Sequence, residues 1–188
     1  WVGARAGAGG RGVGVGGSVR GKGGKRVEGA GDVDTRRLDK TGTITIGNRR
    51  ATQFIPMGEY SADALGQLAV LASFADQTPE GRSIVALARR FGASDDAEGG
   101  DWTFVPFTAE TRMSGVDHDG DSIRKGAGDS VAKWCGENSV SMDVTEQVES
   151  IARSGGTPLL VAENHVVLGT IHLKDIVKGS IRERFSEL

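Results

Sequence analysis

Five consecutive residues, Asp39-Lys40-Thr41-Gly42-Thr43, carry the clearest chemical signal in this 188-residue chain. A carboxylate can attack a phosphoryl group and form an acyl phosphate, provided that Mg²⁺ and positive groups screen the repulsion between the two anions. Gly42 permits a tight turn, and the hydroxyls and backbone N–H groups of Thr41 and Thr43 reach phosphate oxygens. The bland alternative is a strand-to-loop cap in which Asp39 only satisfies backbone donors. At average composition such a run arises by chance in about one chain in ten thousand of this length, which favours the chemistry.

The elements that must position such chemistry alternate strand and helix signals from Asp32 onward. Ile44-Thr45-Ile46-Gly47 reads as a strand end. Ser61 caps a helix with Leu65, Leu68, Ala69 and Ala72 on its apolar face. Thr78-Pro79-Glu80 starts a second helix, with Ile84, Leu87, Ala88 and Phe91 at helical spacing. An acidic surface turn over 92–100 follows. Trp102 to Phe107, Met113 to His118 and Ser122 to Lys125 read as strands, the last two joined by the turn at Asp117-His118-Asp119-Gly120-Asp121. Helices are predicted over Asp129 to Cys135 and Asp143 to Arg153, the second opened by an Asp143 and Glu146 capping pair and lined by Val144, Val148, Ile151 and Ala152. Leu159 to Ala162 and Val166 to Leu173 are the closing buried strands.

Composition divides the chain unevenly. Of 30 glycines, 13 fall in residues 1–31, with six basic residues against the single acid Glu28. That leader is formally +5, which leaves −7 on the remaining 157 residues. So much glycine with so little apolar content cannot offset the entropy of ordering, so the leader is expected to be disordered. No strict Gly-X-Y period is present, which excludes collagen, and no apolar run approaches the ~20 residues of a membrane helix. The single Cys135 excludes an intrachain disulfide framework. His118, His165 and His172 are scattered singly, so ordinary surface or core positions are expected rather than a metal site.

The Asp39-Lys40-Thr41-Gly42-Thr43 run resembles the phosphorylation motif of P-type ATPases, whose core is of the haloacid-dehalogenase kind. Three further segments look like the nucleotide-binding domain of the KdpB-type, potassium-transporting branch of that family: Asp76-Gln77-Thr78-Pro79-Glu80-Gly81-Arg82-Ser83-Ile84, Phe104-Val105-Pro106-Phe107-Thr108-Ala109-Glu110-Thr111-Arg112-Met113-Ser114-Gly115, and Ile123-Arg124-Lys125-Gly126. Leu173-Lys174-Asp175-Ile176-Val177-Lys178-Gly179 is similar to the same branch, and the resemblance runs from about Val27 to Leu188. It implies that ATP phosphorylates Asp39, that Lys40, Thr41, Gly42 and Thr43 bind phosphate, and that Asp39 and the Thr41 carbonyl hold Mg²⁺. It assigns Asp76, Glu80, Phe107, Ser114, Lys125 and Gly126 to the ATP pocket. Physically, Phe107 offers a flat apolar platform for adenine, and Lys125 lies against the base or meets a phosphate. Taken alone, Phe107 also suits a core position and Lys125 a solvated strand position.

The expected fold is α/β in the α+β sense: a twisted antiparallel sheet flanked by helices, plus an incomplete haloacid-dehalogenase-like phosphorylation domain. The expected boundaries are a disordered Gly/Arg-rich leader over 1–31, a phosphorylation-domain segment with the Asp39 motif over 32–47, the nucleotide-binding domain over 48–172, and a second phosphorylation-domain segment over 173–188. Two departures from the resemblance stand out. Relatives carry an apolar central strand where this chain has Thr35-Arg36-Arg37-Leu38, which predicts a frayed strand or a shifted coding sequence. The chain also ends before the downstream acidic motifs that complete Mg²⁺ binding, so it reads as a fragment that is inactive alone.

The implied activity is ATP-driven K⁺ import through an aspartyl-phosphate, with ATP and Mg²⁺ as cofactors. The implied partners are the potassium-conducting and accessory subunits of the Kdp complex, at the cytoplasmic face of the cell membrane, with no nucleic acid; the fragment itself is expected to be soluble. A soluble haloacid-dehalogenase-type phosphatase would use the same nucleophile but usually has a second Asp two residues on, where Thr41 stands. A non-catalytic nucleotide-binding module would leave Asp39 dispensable, and a Gly/Arg-rich RNA-binding module would also lose affinity steeply with salt.

Overall fold

The computed structural model describes residues 10–14, 17–21, 45–94, 101–136 and 140–177. The motif at Asp39 to Thr43, with its flanks over 22–44, lies outside the described residues, as do the acidic turn over 95–100 and the segment from 178 onward. Contacts divide the chain into two units, Trp1–Asp39 and Lys40–Leu188.

Within the leader over 1–31, the described residues are 10–14 and 17–21. Strands β1 (Gly10–Gly14) and β2 (Gly17–Gly21) form a two-stranded antiparallel ribbon, with Arg11 opposite Arg20 and Gly12 opposite Val19. The β-branched Val13 and Val19 favour extension.

The second unit is one six-stranded, wholly antiparallel sheet with helices on both faces. Its strands are β3 (Thr45–Pro56), β4 (Trp102–Val105), β5 (Met113–His118), β6 (Asp121–Ala127), β7 (Thr157–Glu163) and β8 (Val166–Val177), in the order β3-β8-β7-β6-β5-β4. Two tight hairpins set its register. The β5–β6 turn places Asp119 and Gly120 at positive φ, and the β7–β8 turn does the same with Asn164 and His165. Two successive left-handed residues match the twist of the flanking strands. Asn164 also ties the hairpins together, accepting from the Ser122 N–H at 2.8 Å and donating to Asp121 at 2.8 Å.

Helices α1 (Ala62–Leu71) and α2 (Pro79–Arg89) cover one face, each started by the residue expected from sequence. The Ser61 hydroxyl accepts from the Ala64 N–H at 3.1 Å, and the Thr78 hydroxyl accepts from the Gly81 N–H at 3.0 Å. Their buried stripes join Phe54, Val161, Leu168, Ile171 and Leu173 in the larger core cluster. Helices α3 (Gly128–Cys135) and α4 (Met142–Arg153) cover the other face through Val131 and Val144 against Leu160, Ala162 and Val167. Helix α4 is capped by Ser141, whose hydroxyl accepts from the Val144 N–H, and not by the expected Asp143 and Glu146 pair. A hydroxyl two residues earlier reaches the orphan donor, and it leaves Asp143 in the first turn, where negative charge is favourable.

The twelve-residue β3 is longer than the short strand end read from sequence. Its stretch Asn48-Arg49-Arg50 is polar and exposed, as an outer strand permits. It is held to β8 through a register shift between Ala51 and Gln53, where the Thr52 hydroxyl donates to the His172 carbonyl at 3.0 Å. Where β3 and β8 pass beneath α1, Gly169 is required. A Cβ there would lie 2.5 Å from Leu65 Cδ2 and 2.6 Å from the Ile55 carbonyl oxygen. Because one neighbour is backbone, Gly169→Ala is expected to destabilise the domain by about 1–3 kcal/mol. In urea denaturation the midpoint should fall with an unchanged slope; a wild-type midpoint would contradict this packing.

Candidate functional site

The loop between α1 and α2, residues 72–78, is where three of the sequence-predicted site residues, Asp76, Ser114 and Lys125, converge. Asp76 and Lys125 lie far apart in sequence yet form a buried ion pair, Lys125 Nζ to Asp76 Oδ2 at 2.6 Å, with side chains 2% and 4% exposed. Lys125 projects from β6 beneath α1 and is among the most deeply buried side chains of the domain. On the neighbouring β5, Ser114 sits directly opposite Lys125. Its buried hydroxyl donates to the Ala72 carbonyl at 2.8 Å, so two adjacent strands grip the same loop.

The second oxygen of Asp76 organises the start of α2. Asp76 Oδ1 accepts from the Thr78 N–H at 3.0 Å and from the Thr78 hydroxyl at 2.6 Å, while that hydroxyl accepts from the Gly81 N–H. A hydrogen-bonded chain therefore runs from the Lys125 ammonium through one carboxylate to the first turn of the helix. Gly81 completes it by its lack of a side chain: a Cβ would lie 2.5 Å from Asp76 Cγ and 2.7 Å from the Asp76 carbonyl oxygen. A glycine in the first turn of a helix is a sequence signal of such a close approach.

Burial alone would raise the Asp76 carboxyl, but the Lys125 charge, with hydrogen bonds from Lys125 and Thr78, outweighs it and holds the group below its ordinary 3.8. Burial lowers Lys125 below its ordinary 10.5, opposed by the charge and hydrogen bond of Asp76 and by the charge of Glu80. Glu80, half-buried in the first turn of α2, thus belongs to the same electrostatic cluster.

The remaining predicted residues take different places. Phe107 stands two residues beyond β4, which ends at Val105 and not at Phe107 as expected, because Pro106 has no N–H to continue the ladder. The residue is 39% exposed. Gly126 makes its close approach to the neighbouring strand: a Cβ would overlap the Arg112 carbonyl oxygen and lie 2.8 Å from Met113 Cα. Sequence reasoning missed two further exposed aromatics, Phe74 on the gripped loop and Phe104 on β4. Their rings meet edge to face at 5.6 Å.

The three histidines have structural surroundings. His118 stacks on Trp102 at 3.9 Å, His165 stacks on Trp134 at 4.1 Å, and a Cβ at Gly156 would overlap the His172 ring. Among the described residues there is no group of three His, Cys, Asp or Glu side chains placed to hold a metal ion, and no helix long and apolar enough to cross a membrane.

The chain is 55% identical over 168 residues to the potassium-transporting ATPase ATP-binding subunit of Rhizobium meliloti, covering 88% of this chain and 25% of that protein. The subunit of the same name from Clostridium perfringens is 52% identical over 169 residues, with the same coverage. The chain is a homologue of a segment of that subunit. It spans about a quarter of the length of these relatives, and a match over 88% of it takes in both Asp39 and Lys125 wherever it starts. No family model matches.

Among solved structures, a zinc-transporting PIB-type ATPase superimposes with a TM-score of 0.63 at 22% identity, covering 79% of this chain and 22% of that one. The N-domain of a copper-transporting P-type ATPase gives 0.50 at 17% identity, covering 65% of this chain and 97% of that domain. The six-stranded sheet with its flanking helices is thus the fold of a P-type ATPase nucleotide-binding domain, as expected from sequence.

The buried pair makes a specific prediction. Lys125→Met leaves a buried carboxylate without its cation and should cost about 3–5 kcal/mol, whereas Asp76→Asn combined with Lys125→Met should recover part of that loss. Because the folded value of Asp76 lies below 3.8, its contribution is complete above pH 3.8 and fades as the pH falls from there through the folded value. Acid titration of stability should show this loss in the wild type and not in Asp76→Asn; superimposable profiles would refute the pair.

Proposed function

We propose that this chain is the ATP-binding and phosphorylation-loop segment of a potassium-transporting P-type ATPase, which couples ATP hydrolysis through an aspartyl-phosphate to K⁺ import. The observation that carries the reading is the identity of more than half the residues to the ATP-binding subunit across a match that includes Asp39. The nucleotide-binding-domain fold supports it independently.

In this reading the base of ATP lies by Phe107, whose exposed ring offers a face to stack on, and next to the loop gripped by Lys125 and Ser114. Glu80 sets the negative side of the pocket, Asp76 acts by holding Lys125 and the start of α2 in place, and Gly126 keeps the strand beneath close to its neighbour. The γ-phosphate is presented to Asp39. Its carboxylate oxygen attacks phosphorus, the bond to the leaving ADP oxygen breaks, and water later hydrolyses the acyl phosphate to regenerate the carboxylate. Lys40, Thr41, Gly42 and Thr43 hold the transferred phosphoryl group. Mg²⁺ would be held by the Asp39 carboxylate and the Thr41 carbonyl, and would supply charge neutralisation. The potassium-conducting and accessory subunits of the Kdp complex are the proposed partners, with this segment at the cytoplasmic face of the membrane.

Two measurements check this. Calorimetric titration of the 188-residue chain with ATP should show saturable binding that weakens about tenfold in Phe107→Ala, in line with the loss of one aromatic stacking contact. Unchanged affinity would remove Phe107 from the site. The complete pump carrying this segment should form an acid-stable, hydroxylamine-sensitive phosphoenzyme that is absent in Asp39→Asn; persistence of the label would refute Asp39 as the nucleophile.

A further inference from the structure

The loop between α1 and α2 is fastened at every second position to a different strand. The Ala72 carbonyl accepts from Ser114 on β5 at 2.8 Å, and the Asp76 carboxylate holds Lys125 on β6 at 2.6 Å. Between them Phe74 meets Phe104 on β4, the ring centroids 5.6 Å apart and the planes inclined at 72°. The outer two fastenings are buried polar contacts. The middle one is an aromatic pair whose residues stay 37% and 40% exposed.

The loop is wound tightly around this point. The Asp76 N–H donates to the Ser73 carbonyl at 3.0 Å, and the buried Ser73 hydroxyl donates to the Ala69 carbonyl at 2.5 Å. Phe104 lies beside it, because Val116, its partner across the β4–β5 ladder, packs in a buried cluster with Ala72. Neither Phe74 nor Phe104 belongs to a buried cluster among the described residues, so core filling does not account for the pair.

What the pair can fix is the segment that follows β4. That strand is an edge strand of four residues, with β5 as its neighbour on one side. Its ladder stops at Val105, since Pro106 has no N–H. Pro106 also restrains Val105 to extended backbone and fixes its own φ, so few free torsions separate Phe104 from Phe107. Just beyond Phe107 the chain closes in a turn: the Thr108 hydroxyl accepts from the Thr111 N–H at 3.0 Å, and the Thr108 carbonyl accepts from the Arg112 N–H at 2.8 Å. The short stretch carrying Phe107 is thus held by this turn on one side and by the Phe104 contact on the other.

We propose that Phe74 and Phe104 are positioning residues for the nucleotide: their contact aligns the end of β4, and with it Phe107, against the loop held by Ser114 and Lys125. The pair acts on affinity through Phe107. This inference rests on the ATP reading above.

The test is calorimetric titration of the 188-residue chain with ATP. Phe74→Ala should weaken binding about threefold to tenfold, the worth of one aromatic pair, and Phe104→Ala should match it. Phe74→Tyr keeps the ring and should bind as the wild type does. A cycle with Phe107→Ala separates positioning from direct contact. If Phe74 works through Phe107, adding Phe74→Ala to Phe107→Ala weakens ATP no further; a full additive loss overturns the proposal. Wild-type affinity in Phe74→Ala, even with a lowered urea midpoint, also overturns it, since the contact would then serve stability alone. A second readout needs no nucleotide. In the nitrogen–proton map of the free chain, Phe74→Ala should move the amide signals of Phe107 and Thr108 and leave those of α3 and α4 in place; unmoved Phe107 and Thr108 signals would overturn the alignment. A wild-type chain that binds no ATP, while Phe74→Ala still moves those two signals, would refute the ATP reading and leave the alignment standing.

Discussion

A fully desolvated ammonium is tolerable only beside a fixed anion, and the domain is arranged around that constraint. Lys125 and Asp76 are both buried, at 2.6 Å. Desolvating two charges brings little net stability, but once both are inside, losing either partner is costly. What the pair provides is placement. It pins the α1–α2 loop to β6, Ser114 pins the same loop to β5, and Asp76 passes the constraint through Thr78 to the first turn of α2. Gly81 is present because nothing larger fits beside that carboxylate.

The surfaces proposed to meet a nucleotide lie on elements this pair positions. Helix α2 starts at the pinned loop and carries Glu80 in its first turn. Phe74 rides on the loop itself and meets Phe104 on the edge strand. Strands β3 and β8 also form the two chain connections of the sheet, β3 beginning six residues after Asp39 and β8 ending at Val177.

Much of this was legible from residue order. Ser61 and Thr78 announced their helices, because a hydroxyl ahead of an apolar 3.6-residue period satisfies a donor that nothing else reaches. The stripe Leu65, Ala69, Ile84, Leu87 and Ala88 is buried as read. Phe91 departs from it at 45% exposed, since α2 ends at Arg89 and the ring sits beyond the helix, edge-on to Phe54 at 6.1 Å. The polar start of β3 concealed a long strand because an outer strand has no requirement for an apolar pattern there. For the site, motif resemblance selected Asp76, Ser114 and Lys125 as a group. It did not reveal that Lys125 is an interior residue, because the partner that makes its burial possible is 49 positions away in sequence.

The most direct test is a nitrogen–proton correlation map of the isotopically labelled 188-residue chain titrated with ATP. The account predicts that amide shifts concentrate on the pinned loop and helix start, residues 74–83, on Phe107 and Thr108, and on Ser114, Lys125 and Gly126. Residues of α3 and α4 on the opposite face should be unmoved. Shifts confined to that opposite face, or none at saturating ATP, would contradict it.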